Sequence, residues 1–272
     1  MKVAALQMVS GVAQAPNLAA ARTLLEQARD AGAELAVLPE HFAALGRHEA
    51  DKLALAERWG DGPVQDFLAR AARELGLWIV GGTLPLAGSD AGHVFNSALA
   101  FAPTGDCVAR YDKIHLFRFD NGREHFDEAR TVQAGRVPVA FDLTAANGEC
   151  WRVGLSVCYD LRFPELYRAL AADGADLLLV PSAFTHTTGQ AHWEVLLRAR
   201  AIENLAYVLA PAQGGVHENG RRTWGHSLLA DPWGKVVAQR AEEGGGVVVG
   251  ALSRERLRAA RTQLPAREHR VL

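Results

Sequence analysis

Charge of one sign is missing from this chain: across 272 residues, 29 lysines and arginines meet 31 aspartates and glutamates, for a formal net charge of -2. A sequence so balanced gives no electrostatic ground for binding nucleic acid or an anionic membrane surface. Long apolar runs are missing too, so no membrane-spanning helix is expected. The first residues, MKVAALQMVSGVAQ, carry one lysine and an apolar run too short for a secretory signal. Cysteine is scarce. Cys107, Cys150 and Cys158 are odd in number and widely placed, which suggests reduced thiols in a cytoplasmic compartment. No cysteine pair has zinc-site spacing and the ten histidines show no paired ligand spacing, so no metal is expected. A phosphate-cradling glycine loop is also lacking, since Gly244-Gly245-Gly246 sits between charged residues and a strand and reads as a turn. No organic cofactor is expected either. With neither a low-complexity linker nor a tandem repeat, residues 1–272 read as one domain.

What is present is apolar: 49% of the residues are hydrophobic, enough for a large core. Short buried strands are predicted at residues 3–8, 35–39, 77–82, 94–101 and 107–113, with helices after Pro16 and Pro63 that stop at Gly32 and Gly76. Residues 118–130 are polar and read as a loop. The second half repeats this grammar, with strands at 151–157, 177–180 and 206–210 and helices at 164–173 and 190–204. Two or three more strands follow around Asp231-Pro232-Trp233-Gly234, and a helix starts at Ser253. Strands alternating with helices, mixed with hairpins, predict an α/β fold: two mixed sheets covered by helices, a four-layer α-β-β-α sandwich.

Three strand ends carry side chains that need a reason. A buried strand runs into Cys158, and a helix opens near Phe163-Pro164. A thiol at such a turn can project into a pocket beside backbone N–H groups, which favours the thiolate and can stabilise an oxyanion. By itself a lone cysteine is more often a small buried hydrophobe. Glu40, however, follows Leu35-Ala-Val-Leu-Pro39, and Lys113 follows Tyr111-Asp112. Strand carboxyl ends are where α/β folds collect their working groups. A carboxylate can take the thiol proton, and an ammonium can hold negative charge on a carbonyl oxygen.

Leu38-Pro39-Glu40, Tyr111-Asp112-Lys113-Ile114-His115-Leu116-Phe117 and Val157-Cys158-Tyr159-Asp160-Leu161-Arg162-Phe163-Pro164-Glu165-Leu166 together resemble the three motif blocks of the nitrilase superfamily of carbon–nitrogen hydrolases. The likeness continues through Pro181-Ser182-Ala183-Phe184, Ala191-His192-Trp193-Glu194 and Gly225-His226-Ser227 to Asp231-Pro232-Trp233-Gly234, covering almost the whole chain. It implies a cysteine-nucleophile amidase working through a thioester. Glu40 would be the base, Lys113 the oxyanion stabiliser with the Tyr159 backbone N–H, and Cys158 the nucleophile. The resemblance also implies a second glutamate after the lysine, and Glu128 fits that place better than Glu124. His115, His192 and His226 read as structural hydrogen-bonding residues.

Residues 181–204 resemble the branch that contains deaminated glutathione amidase and ω-amidase, with Ser182, Ala212-Gln213-Gly214 and His217 closer to the former. That implies a small amide substrate of the 2-oxoglutaryl class; an N-carbamoyl amidase or nitrilase on the same scaffold, or a catalytically silent binding protein, are the competing readings. Phe184 and Arg162 are candidate substrate contacts. Arg162 can bind a substrate carboxylate or pair with Asp160 or Glu165. Residues 118–124 and 215–222 depart from the branch pattern and are expected to reshape the pocket. A homodimer is expected through the helices at 164–173 and 190–204, from the apolar Phe163, Leu166, Tyr167 and Leu170 at the first and Trp193, Val195, Leu196 and Leu197 on the second.

Overall fold

The computed structural model describes residues 1–122 and 125–271. In chain order the first half runs β1 (Lys2–Gln7), α1 (Gln14–Asp30), β2 (Leu35–Val37), α2 (Asp51–Ala54), α3 (Pro63–Leu75), β3 (Trp78–Val80), β4 (Leu84–Ala87), β5 (Val94–Phe101) and β6 (Cys107–Asp112). A small hairpin, β7 (Arg118–Asp120) and β8 (His125–Asp127), leads into β9 (Val139–Thr144). The second half continues with β10 (Cys150–Leu155), α4 (Pro164–Ala172), β11 (Leu177–Leu179), α5 (His186–Asn204) and β12 (Tyr207–Ala210). A second hairpin, β13 (Gly214–Val216) and β14 (Arg222–Trp224), precedes β15 (Leu228–Ala230), β16 (Val236–Gln239), β17 (Gly246–Ala251) and α6 (Arg254–Gln263).

Two mixed sheets result. The first has the order β17-β1-β2-β3-β5-β4 with β6 on β5, and the second the order β16-β15-β12-β11-β10-β9. In each, three strands are parallel: β1, β2 and β3 in one, β10, β11 and β12 in the other. Antiparallel strands flank both triplets. Successive side chains of a strand face opposite ways, and both faces of the first sheet are used. Val3, Ala5, Leu35 and Val37 point to the core shared with the second sheet. Ala4, Leu6 and Ala36 point the other way, onto Leu25 and Ala28 of α1 and Leu68 and Ala71 of α3. On the far side, Leu166 and Tyr167 of α4 and Trp193 and Leu197 of α5 cover the second sheet. This is the α-β-β-α layering that the sequence predicts.

Local signals explain the helix ends. α3 has Pro63 in its first turn and closes on Gly76 in the left-handed region, φ 63°. α5 differs from its expected start: it opens at His186, where the Thr185 hydroxyl caps the Thr188 N–H, rather than at Gln190. Residues 118–130 are not a plain loop. They form the β7–β8 hairpin and a 3-10 turn at Glu128–Arg130, because Phe119 pairs across to Phe126 and the turn tucks Glu128 into the interior. β4, β9 and the short α2 were not anticipated. β9 lies at a sheet edge with only alternate residues buried, a weak apolar signal. Glu124 lies outside the described residues.

Candidate active site

Glu40 leaves β2 by way of Leu38 and Pro39, three residues beyond the strand itself. The path is fixed by close packing. The backbone of Gly82, at φ 27°, lies against the Pro39 carbonyl, and a Cβ at residue 82 would collide with it. The Glu40 carboxylate is 2% exposed. Its Oε1 accepts from Asn96 Nδ2 and from Lys113 Nζ, both at 3.0 Å, and its Oε2 accepts from the Ala183 N–H at 2.9 Å. Lys113 follows β6 and is 1% exposed. Its N–H is held by the Asn96 carbonyl at 3.0 Å, and its ammonium donates to Glu128 Oε2 at 2.8 Å. That oxygen also accepts from the Phe117 N–H at 2.7 Å, while the Glu128 N–H returns to the Phe117 carbonyl at 2.9 Å.

Cys158 opens a 3-10 turn, Cys158–Arg162, between β10 and α4. It is a non-glycine residue at φ 50°, in the left-handed region, a conformation that costs about 1–2 kcal/mol and is kept only where the surroundings fix it. Here they do. The Cys158 N–H donates to the Pro181 carbonyl at 3.0 Å, and Asp160, fully buried, ties the turn down. Asp160 accepts from the Val157 N–H at 2.9 Å, the Tyr111 hydroxyl at 2.7 Å and the His115 N–H at 3.0 Å, with His115 Nδ1 at 2.7 Å. The thiol lies within interaction range of Glu40, Lys113 and the Ala183 N–H.

The charges balance inside this small volume. Burial alone would raise the Glu40 carboxyl, but the Lys113 ammonium overrides it and holds Glu40 well below the usual carboxylate range. The same contest holds Glu128 down. Burial would likewise discharge Lys113, yet Glu128 and Glu40 together keep its ammonium charged well above the ordinary range. The thiol goes against expectation. Burial first, then the negative charge of Glu40, push Cys158 well above a free thiol, so the turn does not favour a resting thiolate. Five residues of 3-10 turn supply too little dipole to offset those two effects.

The six side chains singled out from the sequence, Glu40, Lys113, Glu128, Cys158, Arg162 and Phe184, border one pocket, as does Tyr159, singled out for its backbone N–H. It holds about 480 Å³, its open mouth included. Arg162 makes no ion pair with Asp160 or Glu165 among the described residues. Its guanidinium lies 5.5 Å from the Phe184 ring centre and 5.8 Å from that of Tyr159, with Nη1 3.3 Å from His192 Nδ1. His115 stacks on Phe163 at 3.7 Å, and His226 stacks on Trp224 at 4.0 Å.

Several residues of the site and its surroundings were not foreseen. Asn96 could have been: Asn96-Ser97 is a polar pair inside an otherwise apolar strand. His41, at φ 57°, places Nε2 3.8 Å from Glu40 Oε1, and burial pushes its imidazole down to about 4. The Ala183 N–H and Arg221 left no signal beyond their neighbourhood. Glu40, His41 and Glu128 bring potential metal-ligand atoms within 4.8 Å of one another. The Lys113 ammonium already bridges the two carboxylates, so a dication would have to displace it.

The sequence profile of the carbon-nitrogen hydrolase family matches residues 2–262. The chain is 41% identical over 271 residues to the deaminated glutathione amidase of Synechocystis sp., covering 98% of this chain and 97% of that protein. It is 41% identical over 270 residues to the deaminated glutathione amidase of Yersinia enterocolitica, with 98% and 92% covered. Among solved structures, the C. elegans NitFhit protein superposes with a TM-score of 0.90 at 37% identity; this chain is covered to 99% and spans 65% of that longer one.

Proposed function

The chain belongs to the carbon-nitrogen hydrolase family and is an amidase; we propose that it hydrolyses deaminated glutathione to 2-oxoglutarate and Cys-Gly, with Cys158 as nucleophile. The observation that carries the mechanism is the buried Glu40–Lys113–Glu128 array set against the Cys158 thiol in one pocket. The relatives' names and the guanidinium of Arg162, which pairs with no carboxylate among the described residues and suits an acyl half that ends in one, support the substrate.

In the resting site the thiol keeps its proton and Glu40 is a weak base. Proton transfer is therefore uphill until an acceptor for negative charge is present. Transfer to Glu40 and attack on the amide carbon proceed together, as the carbonyl oxygen takes charge against the Lys113 ammonium and the Tyr159 backbone N–H. One such preorganised donor is commonly worth about 3 kcal/mol. Protonated Glu40 then delivers its proton to the leaving amine, and the acyl group remains on Cys158 as a thioester. Water enters, Glu40 removes its proton, and hydrolysis frees the acid and the thiol. Glu128 holds Lys113 in place. No step calls for a metal or organic cofactor.

We read residues 1–272 as one domain, working in the cytoplasm, where three unpaired thiols remain reduced. Among the described residues no helix is long and apolar enough to cross a membrane. A homodimer through α4 and α5 remains our reading, resting on Val195 from the expected set and on two further side chains. Leu166, Tyr167, Leu170 and Trp193 are spent in the chain's own core. Val195, Ile202 and the neighbouring Trp233, 67%, 45% and 47% exposed, are the apolar surface that a partner would cover. Sedimentation of wild type beside Val195→Asp tests it: a wild type monomeric at micromolar concentration would end the dimer reading.

A coupled assay for 2-oxoglutarate tests the function. Deaminated glutathione is expected to be turned over with a higher kcat/KM than α-ketoglutaramate. The reverse order would make the enzyme an ω-amidase, and release of carbon dioxide with ammonia from a carbamoyl substrate would move it to the N-carbamoyl class.

A further inference from the structure

The catalytic pocket opens into a broader outer cavity walled by Leu45, His48, Arg130 and Asn219. Phe126 and Arg221 border both spaces, whereas Cys158, Arg162 and Phe184 border only the inner one. Arg221 thus stands at the junction, and its guanidinium has no carboxylate partner among the described residues. Nη2 donates to the Ala183 carbonyl at 3.2 Å, and the group lies 5.0 Å from the centre of the Phe126 ring. Its Nε is buried and meets no acceptor among the described residues, and no carboxylate there pairs with it. Its cationic neighbours are already matched: Lys52 with Glu49 and Arg47 with Glu218, each at 2.6 Å.

The backbone presents Arg221 rigidly. It ends the β13–β14 turn, in the stretch 215–222 that departs from the branch pattern. The Arg221 N–H donates to Asn219 Oδ1 at 2.9 Å, and its carbonyl accepts from the His217 N–H at 2.8 Å. Asn219 Nδ2 is anchored on the Gly46 carbonyl at 2.6 Å, and buried His217 is held between the Ser10 carbonyl and the Thr223 hydroxyl at 2.9 and 2.8 Å. A buried donor held away from any acceptor is costly to a folded chain unless a ligand supplies one.

In a thioester mechanism the acyl half stays on the sulfur while the amine half departs and water takes its place. The amine half must therefore lie toward the side open to solvent. We infer that Arg221 reads the amine half of the substrate, its guanidinium receiving a carboxylate carried by the leaving amine. This rests on the amidase reading above and sharpens it: amides of amino acids or short peptides with a free carboxyl terminus are favoured over primary amides, whose leaving group is ammonia. Bidentate capture of a carboxylate is what a half-buried guanidinium at a pocket mouth does well.

Calorimetric titration of Cys158→Ala, which binds without turnover, tests the assignment. The ligands are 2-oxoglutaryl-Cys-Gly and the same compound with its carboxyl terminus amidated. The free acid is expected to bind at least tenfold more tightly. In Cys158→Ala/Arg221→Met, where the methionine keeps contact with Phe126, that ratio should fall below two. A ratio reads the carboxylate alone, since loss of the hydrogen bond to Ala183 weakens both ligands alike. A ratio near one in the parent, a ratio unchanged by Arg221→Met, or no binding of either ligand would overturn the inference. Replacing 2-oxoglutaryl by acetyl separates the two readings: equal affinity of the two acyl groups refutes the 2-oxoglutaryl assignment, while the acid-to-amide ratio still reports on Arg221.

Discussion

The Tyr111 hydroxyl donates to Asp160 Oδ2 at 2.7 Å, across 49 residues of chain. Tyr111 lies two residues before Lys113 and Asp160 two residues after Cys158, so one buried hydrogen bond ties the ammonium's strand to the thiol's turn. Tyr111→Phe leaves Asp160 its other donors but frees this link. Denaturant unfolding should show a loss of about 1–2 kcal/mol, with kcat reduced and KM little changed. Wild-type values of both stability and kcat would deny the tie any importance.

Cys158→Ala is expected to lower turnover at least about a thousandfold, as loss of a covalent nucleophile does, while leaving the fold intact. Mass spectrometry of the quenched wild-type reaction should find the acyl adduct on Cys158 and not on Cys107 or Cys150. Appreciable activity in the alanine variant would dispose of the thioester mechanism.

Lys113→Met removes the one cation that, among the described residues, is bonded to both Glu40 and Glu128, and strands two carboxylates in the interior. Breaking a buried pair from one side costs about 3–5 kcal/mol. Adding Glu128→Gln should recover part of that stability and none of the activity. Recovery of both would mean that Lys113 is structural alone.

Glu40 and Glu128 are held below their ordinary value of 4.5. The stability they lend is therefore present above that pH and lost as pH falls through their depressed values. Lys113 is held above 10.5, so its contribution is present below that pH and lost only as pH climbs through the raised value. The difference in unfolding midpoint between wild type and Lys113→Met should be largest in mildly alkaline solution and shrink steadily as pH falls, because in the variant burial without the ammonium raises the stranded carboxyls above 4.5 and protonation relieves them. kcat of the wild type should show no acid limb near pH 6–7, because Glu40 stays charged there and His41 stays neutral. A limb in that range would show that the base is not the depressed Glu40.

Much of this was legible beforehand because it rests on short-range patterns. Runs of three to eight apolar residues between turns located the central strands of both sheets, though not the edge strands β4 and β9, and Pro63 with Gly76 bracketed α3. Glu40, Lys113 and Cys158 stood out as polar or reactive groups at the ends of such runs. What stayed hidden depends on tertiary contact. The Ala183 N–H serves Glu40 from 143 residues away, and a backbone donor has no residue type to read. Arg221 looks like an ordinary charge in a polar turn until Phe126 and Ala183 are seen beside it. The resting state of the thiol was misjudged because the sequence reveals a turn, but not how completely water is removed from it.

Glu40 and Lys113 ride on strands of the first sheet, Cys158 on the end of a strand in the second. Neither sheet by itself brings Glu40, Lys113 and Cys158 together. The arrangement acts as an interlock on a reactive group: until one sheet docks upon the other, the sulfhydryl of Cys158 has neither that carboxylate nor that ammonium beside it, and the power to cleave amides is absent.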